Sequence, residues 1–293
     1  MPALDDFREF VQRDQPIAPL TWFRLGGNAE YLARPRNLDQ LVSLVKTCLN
    51  EHIQLHVLSG GSNVLVRDEG VRGVVIHMES PAFSDVSLDG RVITAGAAVP
   101  LTALISQTAR AGLAGLEVMT GIPGTVGGAI LGNAGSRQDA IGAYVREVEV
   151  IDPAGNHIRR DRDDLSFGYR SSNIDDPIII AAKLELTLED TETVVKRMRR
   201  TWIIKKETQP YGHQSSGMIF KDPEPDISAR MLIDQAGLKG ARVGGAEVSE
   251  RHSNFIVANP GATASDVLAL VELIRARVAD QLKYELEPLI RVW

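Results

Sequence analysis

Apolar residues recur at Leu38, Leu41, Val42, Val45, Cys48 and Leu49, the three-and-four spacing of one helix face. The strand-like YLARP (Tyr31 to Pro35) comes before this helix and LHVL (Leu55 to Leu58) after it, so the pattern predicts a β-α-β unit. VRGVVIHM and RVITAGAAV read as further strands. A second helical stripe, Leu101, Leu104, Ile105, Thr108 and Ala109, closes at Gly112, a residue type that suits a helix C-terminus. REVEVIDPAGNHIRR alternates valines with charges around a DPAG turn, which predicts a hairpin, and PIIIAAKLELTL is one more strand.

From Asp190 the pattern changes to TETVVKRMRRTWIIKKETQP, a basic helical connector ending at Pro210. Beyond it, Ala229 to Ala236 predicts a helix stopped by Gly237. Val267, Leu270, Val271, Ile274 and Val278 predict a long amphipathic helix starting near Thr263 or Ser265. YELEPLIRVW reads as a closing strand.

Composition narrows the class. At 293 residues, with 44% hydrophobic and 24% charged positions, the chain suits two or three folded domains. A net charge of -6 argues against bulk nucleic-acid binding. The single cysteine, Cys48, excludes an internal disulfide framework and reads as core filler. The acidic N-terminus lacks a signal-peptide pattern, and no apolar run reaches the roughly 20 residues that cross a bilayer, so a cytoplasmic protein is expected. His56, His77 and His157 show no metal-ligand spacing, and no metal is expected. The basic run Lys196, Arg197, Arg199, Arg200, Lys205 and Lys206 reads as a solvated helix face rather than a diphosphate clamp. Trp22 and Trp202 read as core or interface residues rather than stacking platforms.

Two glycine-rich stretches carry the candidate chemistry: SGGSN (Ser59 to Asn63) and GIPGTVGG (Gly121 to Gly128). Successive backbone N–H groups in such turns form a concave nest for anionic oxygens. Neither stretch ends in the Gly-Lys-Ser/Thr of a P-loop, and neither has the G-x-G-x-x-G spacing of a Rossmann turn. Lysine-free amides suit the diphosphate of a dinucleotide; tight turns with no ligand are the alternative reading.

TWFRLGGNAEYLARP, LSGGSNVLVRDEGVRGVVI, GLEVMTGIPGTVGGAILGNAG, LSFGYRSSNI and GLKGARVGGAEVSERHSNFIVANPGATASDV occur in one order. Together they resemble the UDP-N-acetylenolpyruvoylglucosamine reductase family from about Leu20 to Trp293. The resemblance implies an α+β chain: a two-subdomain FAD-binding fold of the vanillyl-alcohol-oxidase/PCMH type, followed by a smaller α+β substrate-binding domain. The implied division is residues 1–70 and 71–190 for the FAD subdomains, 191–210 for the connector and 211–293 for the substrate domain. It implies FAD held without a covalent bond, NADPH as hydride donor, and a small nucleotide-sugar substrate. No nucleic-acid partner or membrane insertion is expected, and the expected state is a monomer or weak homo-oligomer. Expected cofactor contacts are Ser59, Gly60, Gly61, Ser62, Asn63, Val64, Gly121, Ile122, Pro123, Gly124, Thr125, Gly127, Gly128, Asn133, Ala134 and Gly135.

In the family, a hydride goes to the substrate's β-carbon, a cation holds the developing enolate, and an acid protonates the α-carbon. Arg170 in SFGYRSS matches the cation, beside Tyr169. The family's serine position is Met218 here, and its C-terminal glutamate position is Leu289. Neither replacement has a proton to give. Ser216 and Glu287, two residues away from each, are candidate substitutes, as is a water held by Lys221 or Arg170. Lys221, His252, Asn254 and Arg291 match substrate-lining positions, while Asp222 replaces an asparagine with a charge that a diphosphate would repel. Two alternatives stay open: an FAD-binding paralogue without the protonation step, and an oxygen-using oxidase of the same flavin superfamily.

Overall fold

The computed structural model describes residues 2–215 and 217–293. The chain divides into two compact units. The first comprises the N-terminal residues through Gln15, Ala29–Gly60 and Arg72–Ile203; the second comprises Pro16–Asn28, Gly61–Val71 and Ile204–Trp293. The segments Pro16–Asn28 and Gly61–Val71 therefore group with the C-terminal residues, although they lie early in the sequence.

Two sheets build the first unit. Strands Val11–Pro16, Asn28–Ala33, Val71–His77 and Leu55–Leu58 lie side by side in that order. The β-α-β reading places Asn28–Ala33 and Leu55–Leu58 around α1 (Leu38–Asn50), and the sheet inserts Val71–His77 between them. Leu55–Leu58 pairs in parallel with that inserted strand. The first strand of the unit starts and ends earlier than YLARP, because Arg34 and Pro35 leave the ladder. α1 begins at Asn37, whose side chain accepts the Gln40 N–H at 2.9 Å. Its apolar face buries Leu41, Leu44, Val45 and Cys48, and burial pushes the Cys48 thiol up to about 11.

The second sheet is antiparallel, in the order His157–Asp161, Val145–Ile151, Ile178–Glu185, Val92–Gly96, Val86–Asp89. The expected hairpin is its edge: Val148 and Val150 are fully buried, and the Asp152 carboxylate accepts the Ala154 and Asn156 N–H groups at 2.9 and 2.7 Å to close the turn. α2 (Leu101–Arg110) buries the predicted stripe and is followed by Gly112 at φ +69°. α3 (Val126–Leu131) and α4 (Thr191–Thr208) complete the helices that begin in this unit. On α4, Arg197 grips Glu189 through two 2.6 Å contacts and reaches buried Glu117 at 2.8 Å, so one member of the basic run is an internal tie. Lys196, Arg199, Arg200 and Lys206 are exposed.

In the second unit, α5 (Ala229–Gln235) and α6 (Ala264–Leu282) share a core with the antiparallel strands Arg242–Val243, Ala246–Val248 and Ile256–Ala258. Thr263 and Asp266 form a reciprocal capping box at the start of α6. The Asp68 carboxylate accepts the Ala264 and Ser265 N–H groups at 2.9 Å each. YELEPLIRVW is not the long strand its pattern predicts. Only Arg291–Val292 forms one, in parallel with Val64–Leu65, because Lys283 leaves α6 in a left-handed turn and Pro288 cannot donate a ladder bond. Trp22 and Trp202 are 44% and 42% exposed, so of the expected core or interface roles neither residue takes the core one. No helix among the described residues is long and apolar enough to cross a membrane.

Candidate active site

The boundary between the two units falls inside SGGSN, between Gly60 and Gly61. In the first unit, Ser59 and Gly60 leave the end of strand Leu55–Leu58 and meet the second glycine stretch. The Ser59 Oγ lies 2.8 Å from Thr125 Oγ1. Thr125 occupies the N-cap of α3 but does not cap it, because its hydroxyl is engaged by Ser59. A Cβ on Gly60 would lie 2.8 Å from the Gly124 Cα, so bare backbone on one loop is what lets the other approach.

The amides of GIPGTVGG divide into two sets. Val126 and Gly127 donate to the Val99 and Ala97 carbonyls at 2.9 Å each, and Leu101 donates to Gly124 O at 3.0 Å. The Gly127 N–H is thus engaged in seating α3 on the segment after strand Val92–Gly96, and a Cβ there would press on Ala97 Cβ. Ile122 donates to Met119 O, and Pro123 has no N–H. The N–H groups of Gly124, Thr125 and Gly128 have no acceptor among the described residues, and the space where a Cβ on Gly128 would stand meets only Thr125 Oγ1, at 3.8 Å.

After α3 the chain turns through Asn133, at φ +41°, into Ala134 and Gly135. Ala134 donates to Ala129 O and accepts from Ile141 N. The Asn133 side chain donates through Nδ2 to Gly168 O at 2.7 Å and accepts the Gly142 N–H at 2.9 Å. Gly168 belongs to the short hairpin Phe167–Gly168/Ser171–Ser172, which carries Tyr169 and Arg170 at its turn. Arg170 is held at φ +55°, and its Nε is buried with no hydrogen-bond partner among the described residues. The Arg137 guanidinium stacks 3.8 Å from the Tyr169 ring centroid, a contact that nothing in the sequence pattern signals.

In the second unit, the carbonyls of Gly61, Ser62 and Asn63 face the fold. They accept from Trp22 N at 3.0 Å, Gly217 N at 3.2 Å and Arg291 N at 3.0 Å. The N–H groups of the same three residues have no acceptor among the described residues, which leaves three successive donors for an anion. Val64 is buried beneath them. Met218 and Leu289, the positions that the resemblance matches to the family's serine and glutamate, sit beside this run. Leu289 O accepts from Asn63 Nδ2 at 2.8 Å, Leu289 N donates to Ile219 O at 2.7 Å, and Met218 lies between Ile219 and the Gly217 that donates to Ser62. Both side chains are half-buried. Ser216 lies outside the described residues.

Glu287 is turned onto Lys221, with Oε1 2.6 Å from Nζ. Asn254 is fully enclosed, and both ends of its amide hold Phe220, accepting from its N at 2.9 Å and donating to its O at 2.9 Å. His252 packs edge-on against Phe255, and burial pushes its pKa down to about 4, helped by the nearby Arg230 charge, so the ring is neutral at neutral pH. The Asp222 carboxylate accepts the Ala229 N–H at 2.8 Å at the start of α5, a structural use for the charge that replaces the amide. Arg291 is exposed on its strand.

Residues 29–161 match the FAD binding domain family, and residues 209–293 match the C-terminal domain of UDP-N-acetylenolpyruvoylglucosamine reductase. The reductase of Heliobacterium modesticaldum is 40% identical over 289 residues, which span 98% of this chain and 92% of that protein. That of Desulfosudis oleivorans is 41% identical over 299 residues, spanning 98% and 95%. The chain belongs to the UDP-N-acetylenolpyruvoylglucosamine reductase family. The crystal structure of the reductase from Thermus caldophilus superposes with a TM-score of 0.83 at 38% identity, covering 97% of this chain and 98% of that one. A 6-hydroxy-D-nicotine oxidase from Arthrobacter nicotinovorans superposes at 0.55 with 13% identity, a likeness of fold alone. The expected class holds: an α+β FAD-binding fold followed by the reductase family's own C-terminal domain.

Proposed function

We propose that the chain is an NADPH-dependent FAD reductase that converts the enolpyruvyl ether of UDP-N-acetylglucosamine to UDP-N-acetylmuramate for peptidoglycan synthesis. The observation that carries this reading is the match of residues 209–293 to the C-terminal domain of UDP-N-acetylenolpyruvoylglucosamine reductase. The near-complete coverage of the relatives favours it over both the non-catalytic paralogue and the oxidase.

The chain's residues fit FAD. In the second unit the amides of Gly61, Ser62 and Asn63 are available for anionic oxygens; in the first unit the amide of Gly128 is available, beside the close-packed backbone of Gly60 and Gly124 and the paired hydroxyls of Ser59 and Thr125. When bound, FAD supplies the route by which a hydride from NADPH reaches the substrate's β-carbon. Arg170 binds the substrate carboxylate and holds the enolate oxygens as charge develops; none of the described residues accepts from its buried Nε. Tyr169, Lys221 and Arg291 orient the nucleotide sugar, and His252 and Asn254 shape the pocket wall.

The α-carbon then takes a proton, which completes reduction of the double bond. Met218 and Leu289 cannot give one. The Lys221–Glu287 pair is the ionised pair nearest in sequence to both positions; a water held by Lys221 would give its proton to the α-carbon and take one back from the ammonium, leaving the amine neutral. Residues 1–70 and 71–190 serve the cofactor and 211–293 the substrate. The enzyme works in the cytoplasm as a monomer or weak homo-oligomer, supporting cell-wall synthesis and thereby cell shape and division.

Stopped-flow absorbance tests the reading. Purified protein carries flavin, NADPH bleaches it, and anaerobic addition of enolpyruvyl-UDP-N-acetylglucosamine restores the oxidised spectrum. Bleaching by NADPH with no recovery on that addition rejects the assignment.

A further inference from the structure

The Arg170 backbone, at φ +55°, lies in a region that long side chains rarely adopt and that persists only where the surroundings over-determine it. Three contacts do so. Asn133 Nδ2 holds Gly168 O at 2.7 Å, Asn133 Oδ1 takes the Gly142 N–H at 2.9 Å, and Ser172 Oγ holds Leu131 O at 2.9 Å. Asn133 is itself buried and in a left-handed conformation. The fit around it is close: a Cβ on Gly142 would enter the Phe167 ring, so the peptide that Asn133 grips and the hairpin's first residue are packed without slack.

Both ends of the Asn133 amide are therefore engaged with backbone, one with Gly168 of the hairpin and one with Gly142 of the Ile141–Ala143 turn, and not with open space. We propose that Asn133 is a positioning residue for Arg170: through the Gly168 peptide it fixes the hairpin turn and aims the guanidinium, rather than contacting the flavin. This rests on the reductase reading above and replaces the cofactor contact that the family resemblance implies for the Asn133 side chain. A guanidinium whose backbone is fixed in advance meets an oxyanion without reorganising, which is where such a group contributes most.

The test uses the FAD-loaded enzyme. Asn133→Asp keeps the acceptor for Gly142 N–H but sets a carboxylate against Gly168 O; Asn133→Ala removes both bonds. The expected result is FAD affinity within about twofold of wild type, judged by quenching of flavin fluorescence, with bleaching by NADPH unchanged. The rate at which enolpyruvyl-UDP-N-acetylglucosamine reoxidises the flavin falls about 10- to 100-fold. In the Arg170→Ala background, Asn133→Asp has less than about a twofold further effect, because residues acting through one group are not additive. Additive losses in that cycle overturn the proposal. So does a tenfold loss of FAD affinity, which would mark a direct flavin contact, or failure of both variants to reach the native circular dichroism spectrum, which would make the clamp a scaffold element. Wild-type protein that binds no FAD removes the reductase reading itself, and this proposal with it.

Discussion

Ser59 and Thr125, 66 positions apart, bring their hydroxyl oxygens within 2.8 Å of each other and so join the two glycine-rich stretches. Thr125 stands at the N-cap of α3 without making a side-chain cap bond, while Val126 and Gly127 N–H groups are taken by the Val99 and Ala97 carbonyls. Ser59→Ala and Thr125→Val should each weaken FAD binding about fivefold, the value of one net hydrogen bond. The double variant should lose less than the product of the two. Fluorescence titration of the apoprotein with FAD measures this, and fully multiplicative losses would mean that the two hydroxyls act separately.

Gly60→Ala probes close approach. The added carbon would stand 2.8 Å from Gly124 Cα and 3.2 Å from its carbonyl carbon, and both are main-chain atoms that move only with their loop. Protein purified with this change should retain its fold but lose most bound flavin, read as the ratio of 450 nm to 280 nm absorbance, about tenfold below wild type. Full flavin occupancy would show that the loops part without consequence.

Proton delivery is tested at Lys221. Lys221→Met should slow substrate-driven flavin reoxidation at least tenfold, the low end of general-acid effects, while leaving reduction by NADPH unchanged. If a water on Lys221 supplies the proton, as proposed, Met218→Ser combined with Leu289→Glu should change the same rate less than about threefold. A rise of a hundredfold in the double variant would reassign the step to those two positions.

His252 makes a pH prediction. Burial holds its folded-state pKa at about 4, below the ordinary 6.5, so the unfolded chain binds the extra proton first as pH falls. The stability contributed by the neutral ring is complete above pH 6.5 and declines as pH drops towards 4, by roughly 3 kcal/mol at most. Urea unfolding at pH 7.5 and 4.5 should show a smaller difference for His252→Phe than for wild type. Equal slopes would mean that the ring is not buried neutral.

Much of the scaffold was legible from spacing alone. The stripes of α1, α2, α5 and α6 place apolar residues on one face at helical intervals, and hydrophobic burial acts on that pattern whatever the neighbours are. Gly112 and Gly237 both took positive φ just beyond the helices they were expected to end, because local sterics decide that position. YELEPLIRVW failed as a strand because its alternation says nothing of a partner, and the partner it found, Val64–Leu65, is itself only a short strand far back in the sequence.

The site was legible by type and not by role. The glycines of SGGSN and GIPGTVGG marked bare backbone, yet which amides stay available depends on carbonyls elsewhere: Ala97 and Val99 take two, while those of Gly61, Ser62, Asn63 and Gly128 are left. Asn133 and Asn254 matched cofactor and substrate positions, but their side chains hold Gly168, Gly142 and Phe220. The amino-acid order by itself determined the helices, the hairpin, the glycine-rich turns and the family, since each rests on neighbours within a few residues or on a long ordered match. Only the folded chain decided which donors remain unpaired, which charge meets which, and that Arg170 is held strained. Hydrogen bonds and packing of this kind join residues distant in sequence, and no local pattern encodes their meeting.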